Sequence, residues 1–217
     1  MKKFLAALCL GLALCSNCFA DDYKALQYKD AKLEYEYPQF TLKDASVNKK
    51  INQVLEAKFT ALKEKQSKDK NLVAGNWRFD VELNNEKYIS MYYETFTDRG
   101  EPRGWYETEY FVFDKKNGKR MKYTDFVPAL SLKELKWGVS EHRIHLEFTD
   151  GSSCEGPFLY KKLTQNFKLN EDGSICLVYD PIDQDAEDQG NVNVRLTKKS
   201  VRELKRLYRN KEASEEE

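Results

Sequence analysis

The feature that most constrains this chain is a change of hydrophobic period near residue 70. Before it, Val47, Ile51, Val54, Leu55, Phe59 and Leu62 recur at the spacing of one helical face, with Lys and Glu between them. Ser46 stands where an N-cap belongs, so the pattern predicts an amphipathic helix over 46–66. Beyond the polar connection 67–71 the period drops to two. Trp77, Phe79, Val81 and Leu83 alternate with polar residues; Tyr88 to Phe96 and Trp105 to Phe113 read as the next two strands. Asn84-Asn85 and Lys116-Asn117-Gly118-Lys119 are turn sequences, and 97–104 is a Gly- and Pro-containing loop. Upstream, 32–37 alternates as a strand that Pro38 is expected to end, and 21–30 reads as polar and frayed. A helix beside an antiparallel meander is an α+β arrangement.

The pattern then starts again. Thr124 to Val127 opens a second unit, and Leu130, Leu132, Leu135 and Trp137 suggest short helical pieces. Ile144 to Phe148, Ile175 to Tyr179 and Val192 to Leu196 alternate as strands, and 166–169 is extended. Pro157 to Leu163 predicts a short helix with Pro at its first position. Asn170-Glu171-Asp172-Gly173 is a turn, and Ser200 is expected to cap a short last helix. The expected fold is α+β: two small lobes, each an antiparallel sheet packed with helices, over 21–118 and 119–210, with a disordered tail at 211–217.

The first twenty residues are expected to stand outside the fold. Lys2 and Lys3 precede an almost unbroken apolar run from Phe4 to Leu14, and Cys18 and Ala20 are small at −3 and −1, the layout of a cleaved signal peptide. Mature protein would begin at Asp21 in the periplasm or outside the cell, with no membrane span left, because the run falls short of the ~20 apolar residues a helix needs. Lipoprotein anchoring through Cys15 or Cys18 is the second reading, since Leu14 and Asn17 precede them. Cleavage leaves Cys154 and Cys176, an even number in an oxidising compartment. A disulfide between them is the expectation and two buried thiols the alternative.

Basic and acidic residues balance at 36 each, so no basic excess points to nucleic acid. His142 and His145, three apart on an expected strand, would face opposite sides and share no metal. No nucleophile elbow, P-loop or dinucleotide fingerprint occurs. No metal, cofactor or catalytic residue is therefore expected. The acidic loop Asp180 to Gly190, with Asp183, Asp185 and Asp188, lacks EF-hand spacing, because Asp188 stands where that turn needs Gly. It reads as solvated, with cation binding as the alternative. The chain has 3 Trp, 13 Tyr and 12 Phe, and Tyr92-Tyr93 and Trp105-Tyr106 flank the 97–104 loop. Such aromatics stack on glycan or anchor a partner, or they are cross-strand core pairs.

Several segments together resemble a secreted bacterial domain family, the one shared by the lysozyme-sensing anti-sigma factor RsiV and the N-terminal, non-catalytic region of the peptidoglycan deacetylase PdaC. They are Tyr37-Pro38-Gln39-Phe40, Val47 to Asn52, Tyr88 to Glu94, Phe113 to Lys119, Tyr123 to Phe126, Asn166 to Leu169, Asp172-Gly173, Tyr179-Asp180-Pro181 and Gly190. The resemblance spans about 32–205. Two loops depart from the family pattern, Arg99 to Gly104 and Asp185 to Asp188, so the identity of the ligand does not carry over. What the resemblance implies is a non-enzymatic binding domain at the cell envelope, with peptidoglycan or an envelope protein as partner, a lysozyme-type hydrolase included by analogy. The alternatives are an envelope glycan hydrolase with paired carboxylates and a structural component without a ligand. Tyr93, Arg99, Arg103, Trp105, Asp183, Asp185 and Asp188 are the expected binding residues.

Overall fold

The structure is a computed structural model that describes residues 22–101, 104–154, 157–181 and 190–215. The expected leader lies outside the described residues. Five strands, β1 (Tyr23–Lys29), β2 (Leu33–Phe40), β3 (Ala74–Asn84), β4 (Tyr88–Asp98) and β5 (Trp105–Asp114), form the larger sheet in chain order. Helix α1 (Ala45–Ser67) connects β2 to β3, and these two pair in parallel, with Leu33 opposite Gly75 and Tyr35 opposite Trp77. The other neighbours are antiparallel. The expected meander thus carries one crossover, because a parallel pair needs a long connection and α1 supplies it.

Three expectations at this end are corrected. The segment expected to fray is β1, held to β2 by Tyr23 against Phe40 and Tyr28 against Tyr35, with ring centroids 5.4 and 5.9 Å apart. Pro38 lies inside β2, opposite Ala25. Two residues on, the Phe40 N–H bonds the Asn52 side chain at 2.8 Å, away from β1, so by strand parity the imino nitrogen of Pro38 leaves the β1 ladder intact. The N-cap of α1 is Asp44, whose Oδ1 accepts from the amides of Ser46 (2.8 Å) and Val47 (3.1 Å).

Strand alternation sorts the larger sheet into one face buried under the helix and a second that is buried only where the C-terminal lobe meets it. Trp77, Ile89, Met91, Tyr93, Phe111 and Phe113 meet Val47, Ile51 and Leu55 of α1. Leu83 and Val112 point the other way, into a second core shared with the C-terminal lobe. Ser90 is fully buried there and accepts the Leu169 amide at 3.2 Å. Near its C-terminal end, α1 is fixed by buried Gln66, which accepts from the Tyr35 hydroxyl and donates to Thr97 Oγ1 at 3.0 Å. Gly75 makes room for it: a Cβ there would stand 2.9 Å from Gln66 Oε1.

The C-terminal lobe begins with a 3₁₀ turn at Tyr123–Asp125 and α2 (Leu132–Ser140), whose capping box pairs Ser131 with Glu134. Strands β6 (Leu146–Phe148), β7 (Phe167–Leu169), β8 (Ile175–Tyr179) and β9 (Val192–Leu196) form an antiparallel sheet in the order β6-β9-β8-β7, followed by α3 (Lys198–Glu215). Ile175, Leu177 and Val194 pack with Leu135 of α2 and Val201 and Leu204 of α3. The α+β class and the two helix-covered, largely antiparallel sheets are therefore as expected, with α3 continuing through 211–215, where a tail was expected. Pro157 to Leu163 is not a helix. Phe158 enters the core and the Tyr160 ring packs 4.3 Å from Tyr179, side-chain anchors that hold this stretch irregular. His142 is not on a strand either; it ends α2 with φ 52°, and both histidines are exposed.

The expected Cys154–Cys176 disulfide is absent, and both cysteines are free. Strand parity gives the reason. Cys176 alternates with Ile175 and Leu177 on β8, so it faces away from the core those residues fill, beside Lys168 and Arg195. Its Sγ accepts from Asn170 Nδ2 at 3.4 Å. Cys154 packs against that core from the other side. Thiols on opposite faces of a sheet do not meet the geometry of a bridge. Titration of the denatured, unreduced protein is expected to find two thiols, and reductant is expected to leave Tm unchanged; a bridged species in the mass spectrum would contradict this packing.

The β7–β8 turn adds a pH dependence. Asp172 Oδ1 accepts from the Ser174 hydroxyl (2.6 Å) and amide (3.0 Å), and Oδ2 accepts from Arg195 Nη2 at 2.7 Å. These bonds, the Ser174 hydroxyl foremost, lower the Asp172 carboxyl to about 2. A pKa depressed on folding gives stability that is present above the unfolded value of about 3.9 and lost as pH falls towards the folded one. Asp172→Asn is expected to flatten the acid limb of the stability curve between about pH 4 and pH 2 relative to wild type. Parallel curves would exclude Asp172 from acid unfolding.

Candidate functional site

Strand β5 is one outer strand of the larger sheet, so half its backbone groups lack a neighbouring strand. Backbone and side-chain groups from elsewhere supply partners. The Met121 amide donates to the Val112 carbonyl at 2.7 Å, and Arg120 Nη2 donates to the Tyr110 carbonyl at 3.3 Å. Asn166, just before β7, accepts the Tyr110 amide through Oδ1 and donates from Nδ2 to the Thr108 carbonyl, both at 2.7 Å. The Asp180 carboxyl lies beside the Thr108 amide. One asparagine side chain thus takes the part of a strand, and it draws 165–166 and 180 of the C-terminal lobe up to the sheet edge.

This contact closes one side of a cleft of about 470 Å³. Lys58, Leu62 and Lys65 of α1 form one wall, Glu107 and Glu109 of β5 the other, with Asn166 and Asp180 at the lobe end. Trp77 and Tyr93 make the floor, within an aromatic series in which Phe59 stacks on Trp77 at 5.6 Å and Trp77 lies 4.2 Å from Tyr93. Lys58 and Arg120 both pair with Glu109, Arg120 at 3.1 Å, and the Arg120 guanidinium lies 4.0 Å from the Phe111 ring centroid. Lys65 and Glu107 have no ion-pair partner among the described residues. The Asp180 carboxyl is raised, chiefly because the surrounding protein removes solvent from its charged form, with Glu107 adding repulsion and the Thr108 amide opposing.

Tyr93 is the telling residue of this cleft. It is 1% exposed and its hydroxyl has no hydrogen-bond partner among the described residues. Burial, with Glu109 nearby, raises its pKa, so it stays protonated and able to donate. Buried hydroxyls without partners are rare and costly.

The cleft continues past Leu62, Lys65, Thr95 and Glu107 into a smaller recess lined also by Arg99 and Trp105. There Arg99 Nε donates to Asp69 at 2.8 Å, and exposed Trp105 donates its indole N–H to Glu101 at 3.0 Å. The structure therefore brings three sequence-predicted binding residues, Tyr93, Arg99 and Trp105, to one groove. Arg103, Asp183, Asp185 and Asp188 lie outside the described residues. Sequence reading missed Lys58, Lys65, Glu107, Arg120 and the edge-binding role of Asn166. Their shared signal, charged residues on the helix and strand faces that flank the apolar stripe, looks the same as any solvated face. Among the described residues no group of three or more His, Cys, Asp or Glu is placed to hold a metal ion, and no helix is long and apolar enough to cross a membrane.

No family model matches the chain, and no curated protein matches it. Solved structures do share its fold. A DUF3298 family protein from Pseudomonas aeruginosa PAO1 superposes with a TM-score of 0.54 at 12% identity, over 83% of this chain and 91% of that one. A DUF3298 family member from Bacteroides fragilis gives 0.51 at 14% identity, over 82% and 90%. DUF3298 is the domain that RsiV and PdaC share, in line with the resemblance read from the sequence. At these identities the likeness shows the fold alone.

The edge contact makes a direct prediction. Asn166→Ala removes both bonds to β5 and leaves the Tyr110 N–H and Thr108 C=O short of partners, a loss on the order of 2 kcal/mol. Urea unfolding measures it, and a change below about 0.5 kcal/mol, the usual range of surface substitutions, would show that the edge does not depend on this residue.

Proposed function

We propose that this chain is an exported, non-catalytic binding domain of the cell envelope, which takes peptidoglycan or an envelope protein into the groove between α1 and β4–β5. The observation that carries the reading is the Tyr93 hydroxyl, buried on the floor of a sizeable cleft and lacking a partner. Fold stability is not served by such a group, whereas a ligand that hydrogen-bonds it recovers the cost. Exposed Trp105 at the far end offers anchoring area of the kind that dominates binding energy. Lys65 and Glu107, unpaired on opposite walls, offer polar contacts for orientation. Export rests on the leader-like first twenty residues. The partner class, with a lysozyme-type hydrolase among the candidates, rests on the family resemblance.

A second reading has one observation in its favour. Asp180 and Glu107 line the same cleft and the Asp180 carboxyl is raised, as a general acid of a glycan hydrolase requires. The Thr108 amide beside Asp180 has the opposite tendency, which ranks this reading second.

Co-sedimentation with insoluble peptidoglycan, alongside a lysozyme inhibition assay, tests the proposal. Tyr93→Phe is expected to leave the fold as stable as wild type or slightly more so, while weakening binding by about three- to tenfold, the worth of one hydrogen bond. Trp105→Ala should weaken it further. Unchanged binding in both variants would remove the groove from the account. Turnover of an envelope glycan that Asp180→Asn abolishes would replace binding by hydrolysis.

A further inference from the structure

On the face of the larger sheet opposite α1, three tyrosines and two carboxylates share a separate cleft of about 320 Å³. We propose that this cleft is a second binding site, selective for an organic ammonium ion. The proposal stands independently of the groove reading above.

Strand register builds the cleft. Tyr92 pairs with Tyr110, Glu94 with Thr108 and Phe96 with Tyr106, and all six side chains point to the same face. The Tyr92 and Tyr110 rings lie 5.3 Å apart at 42°, splayed so that their faces are not stacked flat on each other. Tyr106 is 53% exposed and stands about 13 Å along β5 from Tyr110, at ~3.3 Å per residue. Phe96 holds its ring at 4.9 Å. Glu94 therefore sits on the sheet between the Tyr92–Tyr110 pair and the Tyr106 ring. Of the described residues on the opposing wall, Thr149, Pro181, Gly190 and Asn191, none is charged.

Charge selects the ligand. Among the described residues the cleft is lined by Glu82 and Glu94 and by no Lys or Arg. Glu82 is shared between Lys168 at 3.5 Å and the Tyr110 hydroxyl at 3.4 Å. Glu94 has no ion-pair partner among the described residues, although Arg78 lies opposite it on β3. Anions are repelled, and among the described residues a bare divalent ion finds no third carboxylate to hold it. Tyrosine faces are electron-rich and attract a cation that sheds water easily, which favours alkylated ammonium over small hydrated ions. The chain carries its own precedent: Lys168 places its ammonium at the margin of the cleft, 6.0 Å from the centroid of Tyr110.

Titration calorimetry with choline and tetramethylammonium tests this, using 3,3-dimethyl-1-butanol as the uncharged isostere of choline. Both cations are expected to bind and the isostere is not. Glu94→Gln and Tyr106→Ala should each weaken cation binding by at least about twofold, the lower bound for losing one such contact. Exposed Tyr106 can be removed without opening the core, and circular dichroism checks the fold of both variants. Tyr93→Phe, in the other groove, should leave cation binding unchanged. Equal binding of the isostere, no cation binding at millimolar concentration, or binding unaffected by both variants would each overturn the proposal.

Discussion

The pair of hydrogen bonds from Asn166 to β5 is the constraint on which the rest depends. An outer strand must end in solvent, in another chain, or against something its own chain supplies. Here the supply is one amide side chain with a donor and an acceptor in the spacing of a strand residue. Once it docks, the C-terminal lobe has no freedom to slide along the sheet, because both bonds are specific to Thr108 and Tyr110. Asp180 and Arg120 then fall on either side of it and complete the edge. The groove is a by-product of that closure. Its lobe end exists because 165–166 and 180 are held there, and its floor is the aromatic layer of Trp77 and Tyr93 beside α1.

One face of the larger sheet is buried throughout its centre, and the other is buried only around Leu83, Ser90 and Val112, where the C-terminal lobe meets it. One face meets α1 and the other the C-terminal lobe. Consecutive residues of β4 therefore serve different layers. Met91 and Tyr93 belong to the helix side, and Ser90, Tyr92 and Glu94 to the lobe side. Tyr92 and Tyr93, adjacent in sequence, end in two different clefts. A one-residue register slip would exchange the two sets, so the Asn85 turn matters: its Oδ1 accepts the amides of Lys87 and Tyr88, both at 2.9 Å, and pins the β3–β4 register.

Much of this fold was legible in the sequence because it rests on period and turn chemistry. The helical stripe from Val47 to Leu62 and the alternation of the central strands each pointed to one structure. What was not legible was relational. β1 has too few apolar residues to announce itself and becomes a strand only because Tyr23 and Tyr28 find Phe40 and Tyr35. The cysteine pairing failed because parity, not spacing along the chain, decides which thiols can meet. At the site, Tyr93, Arg99 and Trp105 were legible as aromatic and basic residues around a glycine loop. Lys65, Glu107 and Asn166 were not, because nothing in a polar residue's own neighbourhood says which distant backbone it will face.

The Asn166 contact also has a consequence in time. Chains are made from the N-terminus at about 5–20 residues per second, and domains fold as they emerge. Asn166 follows Tyr110 by 56 residues, so roughly 3–11 seconds separate the synthesis of the outer strand from that of its cover. Whenever the five-stranded sheet assembles ahead of that cover, its outer strand is bare. A bare strand recruits other chains, and the nascent protein meets that hazard with Glu107 and Glu109 on the strand itself and Lys58 on the helix beside it. The charges that line the groove are thus also of the kind that discourages edge-to-edge pairing while that strand is uncovered.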